Sequence, residues 1–544
     1  ILAQAIWARG VFRPAHCLLF ARRLRRSPCK ALRPPSVLVM RFLFCASGST
    51  GHVNPTLPIV RALVDLGHEV LYVSFEEMRG KVEAAGAEFF SFVDIEPECY
   101  HGQAPHDPEG AYGVVLKELG LDHSTFLSVF KVLNVVLETQ LPGAVRFLLE
   151  RKPDVVVHDS LPLCRDVPLA AQALGIPRIG VLSLAGPGAW LSHRPATMAP
   201  LTLAQASEEV RKFQQHAEAT ERINAAYGLQ LAAGLPQPAG KLDSLQGSTI
   251  VVTTSEDLQD PLPGKLAEAY QKDGTSFVFA GPLLAAPAAK TAAGQQEPVV
   301  QKVAAARAAG RPVVLVSMGT LLTSQDKLFG WTGRSGCPSG ARSLSGQELC
   351  RAAWAGAFDA FGVKEEVDDD VVGAGAPLLV VSLGGHLELL SGVNIPKSAF
   401  CEAFVPQVDL LRVGIDLFVT HGGQNSFTEA MAHKTPLVVV PGFGDQHANA
   451  RKAVKLGVGL KVDRPECPAG DEAAVAAKYR QTVCETLREG LAKAGTLRAA
   501  ASRVGDGLQS AGGVPLAVET ILAAGAGSRQ GGAVRSTTES QEGN

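Results

Sequence analysis

The chain reads as an α/β protein made of two doubly wound, Rossmann-like parallel-sheet units. Two observations predict this. From residue 41 onward, short apolar runs alternate with helical patterns across glycine-rich turns, the order that parallel sheets with right-handed crossovers require. The series then starts again after a stretch at 283–298 that is rich in Ala, Pro and Gln, lacks periodicity and reads as a linker.

In the first unit "RFLFCAS" is a strand, "GSTGHVNP" a turn cluster, and "TLPIVRALVDLGH" a helix with Leu57, Val60, Leu63 and Val64 on one face. "EVLYVS", "DVVVHD", "RIGVLSL", "TIVVTTS" and "FVFAGP" follow as strands, with mostly helical stretches at 107–150 and 201–227 between them. In the second unit the strands are "PVVLVSMGT", "APLLVVSLGG", "AFCEAFVP", "DLFVTHGG", "PLVVVPGFGDQ" and "GVGLKVD". The expected domains are therefore 40–282 and 299–525, followed by a polar, disordered tail at 526–544.

Two segments stand outside this plan. Residues 322–346 are rich in Gly and Ser and far exceed the roughly 2–6 residues usual between a strand and its helix. They read as a disordered insertion or as a gene-prediction error such as a retained intron. Residues 1–39 contain Arg22, Arg23, Arg25 and Arg26 but no Asp or Glu. A plastid or mitochondrial transit segment, a truncated gene prediction and upstream sequence translated in error are the three readings.

Composition narrows the functions. A net charge of −2 and 6% aromatic residues do not describe a nucleic-acid binder. The ten cysteines include no C-x-x-C pair, so neither zinc nor a disulfide framework is expected. No run of 18 apolar residues occurs, so no membrane span is expected. The expected location is cytoplasmic, or plastid or mitochondrial if residues 1–39 are a transit segment.

The most informative stretch is "FVTHGGQNSFTEAMAHKTPLVVVPGFGDQHANA", at 418–450. Ligands of open α/β sheets bind beyond the carboxyl ends of strands. Here His421, Gly422 and Gly423 follow a strand, and Asn425 and Ser426 begin a helix, whose N-terminus suits a phosphate. A second reading is structural: Ser426-Phe427-Thr428-Glu429 is an S-x-x-E capping box.

The wider pattern, "EAFVPQVDLL", "FVTHGGQNSFTEAM" and "PLVVVPGFGDQHANA", resembles the donor-binding signature of the UDP-glycosyltransferase superfamily. "VSMGT" and "GSTGHVNP" resemble that family too. The resemblance implies the GT-B fold, two Rossmann-like domains facing each other across a cleft. It places His421, Asn425 and Ser426 on the diphosphate, with Ser317 and Thr320 near it, and counts Gly51 and Gly423 with the donor site. It puts Glu429 on the ribose hydroxyls, Asp445 and Gln446 on the sugar, and Val405 and Gln407 against the base. Phe404 stands where the plant branch has tryptophan, which looks like the antibiotic- or sterol-type branches and leaves uracil and thymine open.

In the first unit His52 follows the first strand and Asp159 ends the strand "DVVVHD". The resemblance makes His52 the base that deprotonates the acceptor and Asp159 its partner; the structural alternative for each is a helix cap. His158 is set aside, since alternation points it to the other face. Asp368-Asp369-Asp370 contains a D-x-D pattern but lies in an acidic run that reads as a solvated loop.

The expected activity is an inverting, metal-independent hexosyl transfer from a nucleotide diphosphate sugar, UDP first, to a hydroxyl of a lipophilic alcohol or phenol. No cofactor beyond the sugar nucleotide is implied. A lipid-carrier N-acetylglucosaminyltransferase and a non-catalytic nucleotide-sugar-binding protein remain as alternatives. Phe126, Leu127, Phe130, Leu133 and Trp190 line the acceptor or are helix core.

Overall fold

The computed structural model describes residues 39–538 apart from 101–109, 123–124, 162–163, 193–200, 243–244, 286–296, 325–328, 363–375 and 385–389. The basic segment before residue 39, most of the linker and the D-x-D run lie outside the described residues.

Seven strands form the first sheet: β1 (Arg41–Cys45), β2 (Glu69–Ser74), β3 (Glu88–Ser91), β4 (Val155–Asp159), β5 (Arg178–Leu182), β6 (Thr249–Val252) and β7 (Ser276–Phe279). Six form the second: β8 (Val313–Ser317), β9 (Leu378–Ser382), β10 (Ala399–Glu402), β11 (Leu417–Thr420), β12 (Leu437–Val439) and β13 (Gly459–Lys461). The orders are β3-β2-β1-β4-β5-β6-β7 and β10-β9-β8-β11-β12-β13, with every pair parallel. Helices cover both faces, so the central strands are buried on both sides: all of β4 and all of β8 are buried.

Each order reverses once, between β1 and β4 and between β8 and β11. These two switch points bring the segments after β1 and β4 together in the first half, and those after β8 and β11 in the second. Twelve strands match the runs read from sequence; β3, the four residues "EFFS", was not read because so short a run carries no period.

Three expectations need correction. The segment 322–346 is not a disordered insertion in its described residues. Leu322 and Leu344 are fully buried and Trp331 nearly so, in the core of the second half, and Cys337 is buried as well. Arg464 donates from Nε to Ser343 Oγ at 2.8 Å and from Nη2 to the Leu344 carbonyl at 2.6 Å. His447 Nε2 meets the Gly336 carbonyl at 2.8 Å. Scattered apolar residues gripped by distant partners have no sequence period, so they looked like a loop.

The other two corrections concern the C-terminus. A helix spans Gly513–Thr538, which passes the boundary at 525 where a disordered tail was expected. Its Ala517, Val518 and Ile521 pack with Phe42, Val60 and Val155 of the first half, so residues 513–525 do not cover the second sheet. Sequence order assigned them to the nearer domain; only packing says which sheet has an uncovered face.

The helix Phe126–Arg151 is long and apolar enough to cross a membrane. Its Val132, Val136, Leu137, Leu141 and Ala144 instead sit in a core cluster with β1 and β4 residues.

Candidate functional site

At the first switch point, "GSTGHV" leaves β1 and folds into a short helical turn, Thr50–Val53, carrying His52. Asp159 is the last residue of β4, next door in the sheet. His52 Nδ1 lies 3.2 Å from Asp159 Oδ1 and 2.9 Å from Ser183 Oγ. Neither His52 nor Asp159 serves mainly as a cap, although Asp159 Oδ1 also accepts from the Leu161 N–H at 3.2 Å. Burial alone would lower the His52 pKa. The Asp159 carboxylate, by its charge and its hydrogen bond, and more remotely Asp445 outweigh burial and raise it. Burial likewise opposes the charge on Asp159, yet His52 and the Leu161 N–H hold its pKa below the usual value. His158 turns its Nδ1 to the Asp159 carbonyl at 2.9 Å, its buried Nε2 has no hydrogen-bond partner among the described residues, and burial lowers its pKa to about 4.

At the second switch point Ser317 ends β8 and His421 follows β11, with the His421 N–H on the Ser317 carbonyl at 3.3 Å. Gly319 has φ +74°, and a Cβ there would stand 2.5 Å from His421 Cε1. A glycine is needed both for that backbone and for the ring's space. Burial lowers the His421 pKa to about 4 against the opposing pull of Asp445, so the ring is neutral at ordinary pH.

The helix after His421 spans Gln424–Ala432 with Gly423 at its N-cap, so Asn425 and Ser426 are its second and third residues. No capping box forms. Glu429 Oε2 accepts from Gln407 Nε2 at 2.6 Å, and Ser426 Oγ accepts from the same nitrogen at 3.2 Å. Burial raises the Glu429 pKa while Gln407 opposes the rise. Among the described residues, the N–H groups of Asn425 and Ser426 have no partner; that of Gln424 donates to Asp445 Oδ2 at 3.0 Å.

Some residues sit where sequence placed them and others do not. Asn425 reaches across the cleft, its Nδ2 donating to the Gly51 carbonyl at 2.6 Å. Gln446 is buried, and its Oε1 accepts from the Gly442 N–H at 2.7 Å and the Phe443 N–H at 3.2 Å, so it holds the loop before it. Thr320 is exposed beyond β8. Phe404 is 65% exposed, and Val405 and Gln407 are half-buried at the start of the helix Gln407–Val413. Phe130 and Leu133 are core for the helix Leu203–Arg211, with Phe126, Leu127 and Trp190 against them. A small cavity beside them meets Asn134, Arg165 and His216.

Sequence reading missed Ser183, just past β5, and Asn449, whose Nδ2 donates to the Gly422 carbonyl at 2.9 Å and fixes the His-Gly-Gly turn. The signal for Ser183 was its place at a strand end beside β4. Asn449 had no signal beyond its closeness to the motif. Among the described residues no group of three His, Cys, Asp or Glu side chains is arranged to hold a metal ion.

The family profile of UDP-glucoronosyl and UDP-glucosyl transferases matches residues 393–477, the stretch that carries His421, Glu429 and Asp445. The chain is 24% identical over 474 residues to an uncharacterized UDP-glucosyltransferase, YojK, of Bacillus subtilis (strain 168), covering 87% of this chain and 95% of that one. It is 26% identical over 467 residues to the oleandomycin glycosyltransferase of Streptomyces antibioticus, covering 83% and 87%. Among solved structures, the kitacinnamycin glycotransferase superposes with a TM-score of 0.57 at 22% identity, over 89% of this chain and 99% of that one. The fold is GT-B.

Proposed function

We propose that the chain is a member of the UDP-glycosyltransferase superfamily, supported by the family profile over 393–477 and the full-length relatives, and that it is an inverting glycosyltransferase that moves a hexose from a UDP-sugar to a hydroxyl of a lipophilic small molecule. The observation that carries this reading is the pairing across one cleft. His52 and Asp159 stand on the first half, and the free N–H groups of Asn425 and Ser426 on the second, with Asp445 close enough to raise the His52 pKa.

In the reaction His52 Nε2 takes the proton of the acceptor hydroxyl as its oxygen attacks the anomeric carbon. The bond from that carbon to the β-phosphate oxygen breaks in the same step, so one displacement inverts the configuration. Asp159 stabilises the imidazolium that forms. The charge leaves on the diphosphate, where the helix N-terminus at Gln424, neutral His421 as a hydrogen-bond donor, and Ser317 and Thr320 receive it. Asn425 exchanges its contact with Gly51 for the diphosphate. Glu429 accepts from the ribose diol, Asp445 from the sugar hydroxyls, and Val405 and Gln407 flank the base. The likeness to the oleandomycin glycosyltransferase supports a lipophilic acceptor, as do the apolar helices around Phe130 and Trp190.

The deciding experiment is a screen of UDP- and dTDP-sugars against pooled lipophilic alcohols and phenols, read by mass spectrometry, with and without EDTA. The expected result is a glycoside of inverted anomeric configuration, formed equally well in EDTA. Tight UDP binding with no product from any pair would favour a nucleotide-sugar-binding protein instead.

A further inference from the structure

Ser183 lies one residue beyond β5, whose Val181 pairs with Asp159 of β4. It is nearly buried, and its Oγ is 2.9 Å from His52 Nδ1, nearer than Asp159 Oδ1 at 3.2 Å. Ser, His and Asp in contact suggest a nucleophile triad, but the connectivity forbids one. In such a triad the serine and the carboxylate engage opposite ring nitrogens. Here both engage Nδ1, so that nitrogen cannot remove the serine proton while also donating to the carboxylate. His52 Nε2 has no hydrogen-bond partner among the described residues.

Asp159 by itself is a weak guide for the ring. Its Oδ1 is shared with the Leu161 N–H, and its buried Oδ2 has no hydrogen-bond partner. One long, shared contact leaves an imidazole free to swing about its own Cβ–Cγ bond. A second contact from a different strand removes that freedom, because β4 and β5 are fixed to each other by the ladder. The carboxylate only accepts, so the proton belongs on Nδ1, and the serine oxygen accepts from the same N–H.

We propose that Ser183 is a positioning residue for His52. Its Oγ shares the Nδ1 proton with Asp159, fixes the ring plane and keeps the lone pair on Nε2, the atom that takes the acceptor proton. This rests on the reading of His52 as the base. No bond to Ser183 forms or breaks, and the proton moves only from the acceptor oxygen to Nε2.

The test compares Ser183→Ala, Ser183→Cys and Ser183→Thr with His52→Ala in the full chain, using the donor and acceptor pair that turns over in the screen above. A second readout, NMR of the histidine-labelled free protein, reports the His52 tautomer without turnover. Ser183→Ala is expected to lower kcat about tenfold with KM for the sugar nucleotide unchanged. It also moves the acid limb of the rate profile to lower pH and mixes the His52 tautomers. Cysteine, a weak acceptor, falls between, and threonine restores both rate and tautomer. Wild-type rate, pH profile and tautomer in the alanine variant, while His52→Ala is inactive, would overturn the role of Ser183 alone. So would a folded threonine variant that rescues nothing. Full turnover in His52→Ala would instead overturn the reading of the base.

Discussion

A single imidazole carries the proposed chemistry, and its protonation is open to measurement. His52 is pulled above its ordinary value of about 6.5 because Asp159 outweighs the cost of burial. A raised pKa means the base is protonated, and inactive, over a wider acidic range. The acid limb of kcat/KM is therefore expected above about pH 6.5. Asp159→Asn removes the charge that favours imidazolium, so that limb shifts to lower pH while the plateau falls. His52→Ala is expected to reduce turnover by about 10²–10⁴-fold with UDP affinity intact, as calorimetry can check. Glu429 offers a second residue-scale test. A capping box would accept glutamine at no cost, but Glu429 bonds Gln407 instead. Glu429→Gln and Glu429→Ala are both expected to weaken UDP by about 1.5–3 kcal/mol, the worth of one hydrogen bond to a charged group. Unchanged UDP binding in both would remove Glu429 from the site.

The segment 322–346 decides the element scale. It brackets the loop that leads into Asp445: the Leu322 side chain lies against Gly442, where an added Cβ would come within 2.5 Å of it. Phe329 stacks on Phe443 at 4.5 Å and also meets Phe126 of the first half at 5.4 Å. Arg464, buried and without a carboxylate partner among the described residues, ties Ser343 and Leu344 to the Gly442 carbonyl of this loop; burial lowers its pKa to about 10. Leu322→Ala is expected to cost about 2–5 kcal/mol, since a fully buried leucine leaves a cavity. Replacing the whole segment with a short Gly-Ser bridge is expected to abolish cooperative unfolding of the second half. A bridged protein with an unchanged melting temperature would mean that this packing carries no stability.

At the scale of the molecule the two halves are tied at several points. Lys452 Nζ pairs with Asp260 Oδ1 at 2.9 Å, and Asn425 spans the cleft to Gly51. The largest tie is the chain itself. The helix Gly513–Thr538 leaves the second half and covers the first sheet, and the Gly513 N–H bonds the Ala280 carbonyl at 2.7 Å. Ending the chain at residue 512 would expose the apolar face around Phe42 and Val60. The expected result is a first half that melts early and is cut by protease while the second half keeps the proposed nucleotide site. Equal protection of both halves would show that the C-terminal helix is dispensable.

The sequence by itself determined the alternation of strand and helix and the glycine turns at strand ends. It marked the 418–450 stretch as a candidate phosphate-binding turn as well, because periodicity, backbone freedom and helix termini are local properties. It therefore predicted twelve strands and the strand ends that carry His52, Asp159 and His421. Tertiary structure decided everything that depends on which distant surfaces meet. It turned 322–346 from an apparent loop into core and sent 513–525 to the first sheet. It set Gln446 on its own loop and Asn425 on Gly51, and it brought Ser183 to His52 from a strand 131 residues away. None of these choices has a local signature, since each is settled by the apolar area or the hydrogen-bond partner that the rest of the chain leaves open.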